Sequence, residues 1–396
     1  MGSRHDECQP YNPPTTMRRL PTPVDTTNIL SARRTIPLMV LPWSKRIARL
    51  NKTKGRKYTM NHLFKTGFAA AAFSVASLAA YAADTTLTIS SWAPPTHGMN
   101  AIMFPELTKA MEDATNGRVS AEIKYGLGSP PAQFDLILDG AADITWIFHG
   151  YSPGRFVSTK MIELPGYQGN AEAASVASWR AYDKFFAGLG EHKGVKVLAM
   201  MTHGPGVLHS NAQIDSLEDI SGMKLRLGGG VSGDVGAALG ATGIRVPAPK
   251  VYETLASNSA DGVMMPMEAK KSFKLFEVAK NTYQVPGGFY RGSFAVIMNQ
   301  DAFDNLSDVD RAALGKVFGE NLSRAAGKAW DKIDTAGLVA LNANSDNNLT
   351  EASAEDAAKW QSMTGPLITK VIAEVSEKGV DASAVHAFIK EQMAAE

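Results

Sequence analysis

The segment GMKLRLGGGVSGDVGAALGATG (222–243) carries the spacing Gly228-x-Gly230-x-x-Gly233. A strand-like run, Met223–Leu227, precedes it and a helix-like run, Val235–Leu239, follows. In that setting a glycine turn brings backbone N–H groups against an anion at a helix N-terminus. Arg226 ends the strand, and its planar fork matches a carboxylate with two parallel hydrogen bonds. The geometry suits a dinucleotide or a simple organic anion. Two observations count against the dinucleotide. The acid that should hold its ribose, Glu253, falls in VYETLAS, which reads as a helix instead of a strand end. The unit also sits in mid-chain of what reads as an exported protein, whereas nicotinamide cofactors are cytosolic. A surface pairing of Arg226 with Asp234 or Glu218 is the structural alternative to an anion site.

Other candidate chemistry is thinner. His97, His149, His203 and His209 lie near strand ends, but no HxH or HExxH spacing is present, so no metal site is expected. No GxSxG occurs, and Ser232 lacks the nucleophile-elbow pattern. No catalytic residue, enzyme activity or cofactor is therefore expected. Arg155, in the turn FHGYSPGRF, reads as a structural lock on a nearby carbonyl or acid. HGPGVLHS (203–210) interrupts an apolar run with two glycines and a proline, as a chain crossing between domains would. DGVMMPMEA is a strand leaving into a turn at Pro266, with Met264 and Met265 reading as core more readily than as ligand contacts.

The elements that must position these groups follow from periodicity. TLTISSW, VSAEIKYG, DITWIF, VKVLAMM, MKLRL, DGVMMP and GSFAVIMN read as strands, with helical patterns between them. That alternation predicts an α/β architecture with mostly parallel sheets. A capping pattern at Ser307 followed by apolar residues from Leu314 to Ile333 predicts one helix of about thirty residues, long enough to run across two domains.

The chain has 396 residues and a net charge of +1, but the average hides two unlike parts. Residues 1–59 are proline-interrupted and strongly basic, and read as disordered or as an over-extended translation start. From Met60, a lysine-bearing start, an apolar run from Gly67 to Ala80 and the small-x-small signal Ala80-Tyr81-Ala82 read as a secretory leader over 60–82. The run is too short for a spanning helix, so cleavage before Ala83 or Asp84 is expected. The remainder is net acidic, which speaks against binding nucleic acid or an anionic membrane by bulk charge. The single cysteine, Cys8, precedes the leader, so the mature chain has no disulfide and rests on core burial.

Several motifs occur in a specific order: ISSWAPPTHG, GAADITWIFHGYSPGRF, SLEDISGMKLRLGGG, LGATGIRVPAPKVYETLASNSADGVMMP, and AVIMN before the long helix. Over 84–390 the chain thereby resembles the periplasmic solute-binding subunits of TRAP transporters, the DctP-like family. The resemblance implies an α/β two-domain periplasmic binding protein with a central cleft and a long helix spanning both domains. It divides the chain into 83–203 plus 292–331, and 204–291 plus 332–396. It implies a periplasmic receptor, monomeric, that binds a small organic acid and delivers it to the membrane subunits of a TRAP permease. A ligand-sensing protein of the same fold is the alternative. The family's carboxylate-anchoring arginine falls on Arg226, which suggests a helix-end anion site holding a carboxylate. Many sialic-acid and dicarboxylate binders of the family have an amide or acid just before the proline of the DGxxxP segment. Met265 stands there, which favours a smaller or more apolar monocarboxylate, such as a keto, hydroxy or aromatic acid. Trp92, His97, His149, Tyr151, His203, Phe289, Tyr290 and Arg291 are the further candidates for lining the pocket, with Trp92 and His203 foremost because each ends a strand.

Overall fold

A computed structural model describes residues 84–396, which lie within one compact unit. Cys8, the basic stretch and the leader at 60–82 fall outside the described residues. Eleven strands are described: β1 (Thr85–Ser91), β2 (Val119–Tyr125), β3 (Ile144–Phe148), β4 (Val195–Thr202), β5 (Gly206–Ser210), β6 (Lys224–Arg226), β7 (Thr242–Ile244), β8 (Gly262–Pro266), β9 (Asn281–Gln284), β10 (Ser293–Asn299) and β11 (Asn348–Glu351). They form two sheets, ordered β2-β1-β3-β10-β4 and β11-β9-β5-β8-β6-β7. Each sheet, with the helices against it, makes one lobe. Residues of β3 (ITWIF) and β8 (GVMMP) are buried along their whole length, as central strands covered on both faces must be.

The sheets are more mixed than the alternation predicts. β10 runs antiparallel to both β3 and β4, and β5 runs antiparallel to both β8 and β9. The reason lies in the crossings. β4 leaves the first sheet through His203-Gly204-Pro205 and continues as β5 in the second. The chain returns through Tyr290-Arg291-Gly292 into β10. A strand that arrives from the other lobe enters its sheet from the cleft end, opposite to strands built by local strand–helix units.

The long helix also differs from its expected extent. Ser307 does cap a helix, its Oγ accepting from Asp310 N at 3.1 Å, but that helix ends at Leu314. The chain restarts as Glu320–Asn342 after Gly319, whose φ of +76° suits glycine and whose missing Cβ leaves room for the Trp179 ring. This second helix touches both lobes. A Cβ on Gly327 would collide with the backbone of Ala171 and Glu172, and one on Gly337 with the backbone of Met267 and Glu268. Among the described residues no helix is long and apolar enough to cross a membrane.

Candidate ligand-binding site between the lobes

The two crossings lie side by side. Gly206 N donates to Tyr290 O at 2.8 Å, and a Cβ on Gly292 would strike the His203 ring. Beside them a narrow cavity of about 40 Å³ opens between the lobes. Its first-lobe wall is aromatic. Trp92 stacks on Trp146 at 4.0 Å and donates its Nε1–H to Trp146 O, which fixes the ring. Phe148 meets Tyr151 edge-on at 4.9 Å and Phe294 at 5.0 Å.

Arg226 reaches this cavity from the second lobe. It ends β6, an interior strand paired with β7 and β8, and is only 3% exposed. Its Nε–H donates to Val246 O at 2.8 Å and one terminal nitrogen donates to the Tyr151 hydroxyl at 3.3 Å. That hydroxyl also accepts from Ala248 N at 2.8 Å, so Tyr151 of the first lobe is held twice by the second. The acids that might have neutralised Arg226 are engaged elsewhere. Asp234 pairs with Lys370 at 2.6 Å, and Glu218 pairs with Lys359. Among the described residues no carboxylate forms an ion pair with Arg226.

The glycine-rich turn itself is a different site, and already full. The helix Val231–Ala238 starts directly after Gly230, and its first N–H, Val231 N, donates to Glu163 Oε2 at 2.7 Å. The other oxygen of Glu163 accepts from Ser293 N at 3.3 Å. A Cβ on Gly230 would strike the Glu163 carboxylate, and one on Gly229 (φ +103°) would strike Gly150 O. Burial raises the Glu163 pKa to about 7, partly offset by the two N–H donors. The expectation of a helix-end carboxylate site is therefore corrected. The helix end binds a carboxylate from the chain itself, and Arg226 faces the cavity without it. The same geometry removes the dinucleotide alternative at Gly228, Gly230 and Gly233. Glu253 lies on the helix Val251–Ala256, bonded to Lys250 at the surface.

Seven of the sequence candidates line the cavity together: Trp92, His97, Tyr151, His203, Arg226, Met265 and Tyr290. Burial keeps His203 neutral, lowering its pKa to about 3, and its Nδ1–H donates to Gly204 O at 2.6 Å. Tyr290 donates its hydroxyl to Met264 O at 3.1 Å. Three candidates lie elsewhere. His149 turns away from the cavity and bonds Ser293 Oγ at 2.9 Å and His192 at 3.0 Å. Phe289 is fully buried in the second-lobe core, edge-on to Trp360 at 5.1 Å. Arg291 forms no ion pair among the described residues; it donates to the carbonyls of Gly169 and Asn170. Arg155 lies over the Phe134 ring at 3.6 Å and 3.6 Å from Asp135, as a lock would.

Residues 90–374 match the family model DctP, the bacterial extracellular solute-binding proteins, family 7. The chain belongs to this family. It is a solute-binding family of TRAP transporters and not a family of enzymes. A TRAP periplasmic solute-binding protein of Bordetella bronchiseptica, with (R)- and (S)-mandelate bound, is 35% identical, with a TM-score of 0.76 over 78% of this chain and 99% of that one. A TRAP solute-binding protein of Rhodoferax ferrireducens, with co-purified benzoate, is 27% identical, with a TM-score of 0.74 over 78% and 98%. A TRAP solute-binding protein from an unidentified marine microbe, specific for aromatic acids and bound to 3-hydroxybenzoate, is 30% identical, with a TM-score of 0.73 over 78% and 98%.

The DctP cavity also contains residues that sequence reasoning passed over: Phe148, Glu268, Phe273, Phe294 and Trp330. Phe148 and Glu268 lie inside segments already singled out, each a few positions from the residue chosen. Trp330 lies on the apolar face of the long helix, where a cavity-lining ring and a core ring carry the same signal.

Proposed function

We propose that this DctP protein is the periplasmic receptor of a TRAP transporter for a small aromatic monocarboxylate, held between the lobes on Arg226 and handed to the membrane permease. The supporting observation is a buried guanidinium that has no carboxylate partner among the described residues and faces a cavity walled by aromatic rings. An unpaired buried charge is costly, and a carboxylate ligand relieves that cost where a neutral analogue does not. Flat aromatic walls add stacking area for an arene. The aromatic acids bound by the three similar proteins agree with this reading.

Closure follows from the same contacts. Tyr151 meets Arg226 and Ala248 across the cleft, so a carboxylate that orders Arg226 favours the closed arrangement by its differential affinity. The leader at 60–82 would export the chain. The test is calorimetry on protein recovered from the periplasm, where its mass also reports a start at Ala83 or Asp84. Benzoate and mandelate are expected to bind, and benzamide, mandelamide, galactonate and NAD are not. Binding of the amides as tightly as the acids would overturn the role of Arg226. Binding of NAD alone would overturn the receptor reading.

A further inference from the structure

One end of the cavity holds polar groups that a carboxylate on Arg226 leaves unused. Glu268 follows β8, lines the cavity and is 1% exposed. Its backbone N–H donates to Asp334 Oδ1 of the long helix at 2.8 Å, which fixes its position. Its side-chain Oε2 is buried with no hydrogen-bond partner among the described residues. Facing it from the first lobe is His97, whose Nε2 lies 3.8 Å from that oxygen, beyond hydrogen-bonding distance. The tautomer of His97 follows from its other nitrogen. Met99 N donates to Nδ1 at 3.2 Å, so the ring proton sits on Nε2 and faces Glu268. Burial keeps the ring neutral, with its pKa lowered to about 3. Burial also raises the Glu268 pKa to about 8, so near neutral pH its carboxyl is largely protonated and both donates and accepts. Trp330 stands edge-on to His97 at 5.5 Å, and its Nε1–H likewise has no partner.

We propose that His97 and Glu268 form a second subsite of the cavity, which takes a hydroxyl group, so that the preferred ligand is a hydroxylated aromatic carboxylic acid. The inference rests on Arg226 as the carboxylate anchor. An oxygen placed about 2.8 Å from both Nε2 and Oε2, to one side of the line joining them, bridges two atoms at this separation. A hydroxyl there accepts from His97 and exchanges a hydrogen bond with Glu268. A C–H there leaves His97 Nε2–H and Glu268 Oε2 without a partner, which is why sites built for a hydroxyl reject the analogue lacking it.

The experiment is calorimetry near pH 7 with two sets of probes: benzoate against 3- and 4-hydroxybenzoate, and phenylacetate against mandelate. In at least one set the hydroxylated member is expected to bind about tenfold tighter or better. The set that responds places the hydroxyl on the ring or on the side chain. In His97→Phe and Glu268→Met the ratio within that set should fall to about one, whatever happens to absolute affinity. Glu268→Gln keeps a donor and an acceptor and should retain much of the ratio, which guards against misfolding of the Met variant. Equal wild-type affinities within both sets would overturn the subsite and leave the gap to water. A ratio that survives both His97→Phe and Glu268→Met would overturn it as well. Failure of every acid to bind is a different result: the Arg226 reading then falls, and this inference with it.

Discussion

Two carboxylate-seeking sites flank the same glycine-rich turn, and they are finished differently. At Val231 the helix N-terminus receives Glu163, a side chain of the protein itself, which also takes Ser293 N from the returning strand β10. A few residues upstream Arg226 is buried with, among the described residues, only a carbonyl and a phenol as partners. The filled site ties the second lobe to the crossing. The arginine faces the cavity. Local geometry is similar in kind at both, so what separates structure from function is whether the chain supplies the anion. That depends on an acid some way off in sequence, and no local motif reveals it.

The largest expected effect is at Arg226. Arg226→Ala should weaken binding of an aromatic monocarboxylate by about 2–5 kcal/mol, or about thirtyfold to several-thousandfold. Thermal stability without ligand should hold or rise, because an unneutralised buried charge is removed. Calorimetry and a melting curve on the same preparation decide it. Near-wild-type affinity would show that the carboxylate is held elsewhere.

The filled site should respond in the opposite way. Glu163→Gln places an amide NH₂ against one of two backbone donors, Val231 N or Ser293 N, and leaves that donor unpaired. A loss of about 1–3 kcal/mol of stability is expected, read as a shift of the urea midpoint. The ligand should still bind. A variant as stable as the wild type that has lost all ligand affinity would reverse the roles assigned to the two sites.

Much of this arrangement was legible in the residues, for identifiable reasons. Glycine and proline placed directly after the apolar run VKVLAMM marked the crossing at His203-Gly204-Pro205. Arg226 stood out as a charge closing an apolar strand. The illegible parts share a cause, in that they depend on contacts distant in sequence. Glu268 looks like any acid opening a surface helix until Asp334 holds its backbone and burial surrounds it. Glu163 sits in a four-residue helix with nothing local to mark it. The chain end of β3 shows how fine the margin is. Phe148, the last residue of the strand, faces the cavity, while His149, the first residue of the 3-10 turn that follows, faces away. The break before Glu320 was hidden because Gly319 adopts its special conformation to admit Trp179, which lies far back in the chain.

The smallest expected effect is in pH dependence, where the filled site titrates. Burial raises the carboxyls of Glu163 and Asp334 to about 7 and that of Glu268 to about 8. The folded state then holds protons that the unfolded chain has released, so their stabilising contribution is full at low pH and is lost as pH rises through 7 to 8. His97, His192, His203 and His209 go the other way, with burial lowering each to about 3. The unfolded chain takes up those protons below about pH 6.5, so stability is lost as pH falls from there. Below that point the histidines outnumber the three acids, and from there to about pH 8 the three acids outnumber Lys270, which burial lowers to about 7 and which acts in the opposite sense. The melting temperature without ligand should therefore peak at roughly pH 6.5 and decline both below it and up to about pH 8, by at most about 1.4 kcal/mol per pH unit for each proton exchanged. Glu163→Gln removes one of the three titrating acids, so its alkaline decline should be shallower than that of the wild type. A wild-type melting temperature that climbs steadily from pH 6.5 to 8 would mean that these carboxyls are ionised in the folded state at neutral pH, and that Glu163 fills its site as a permanent anion.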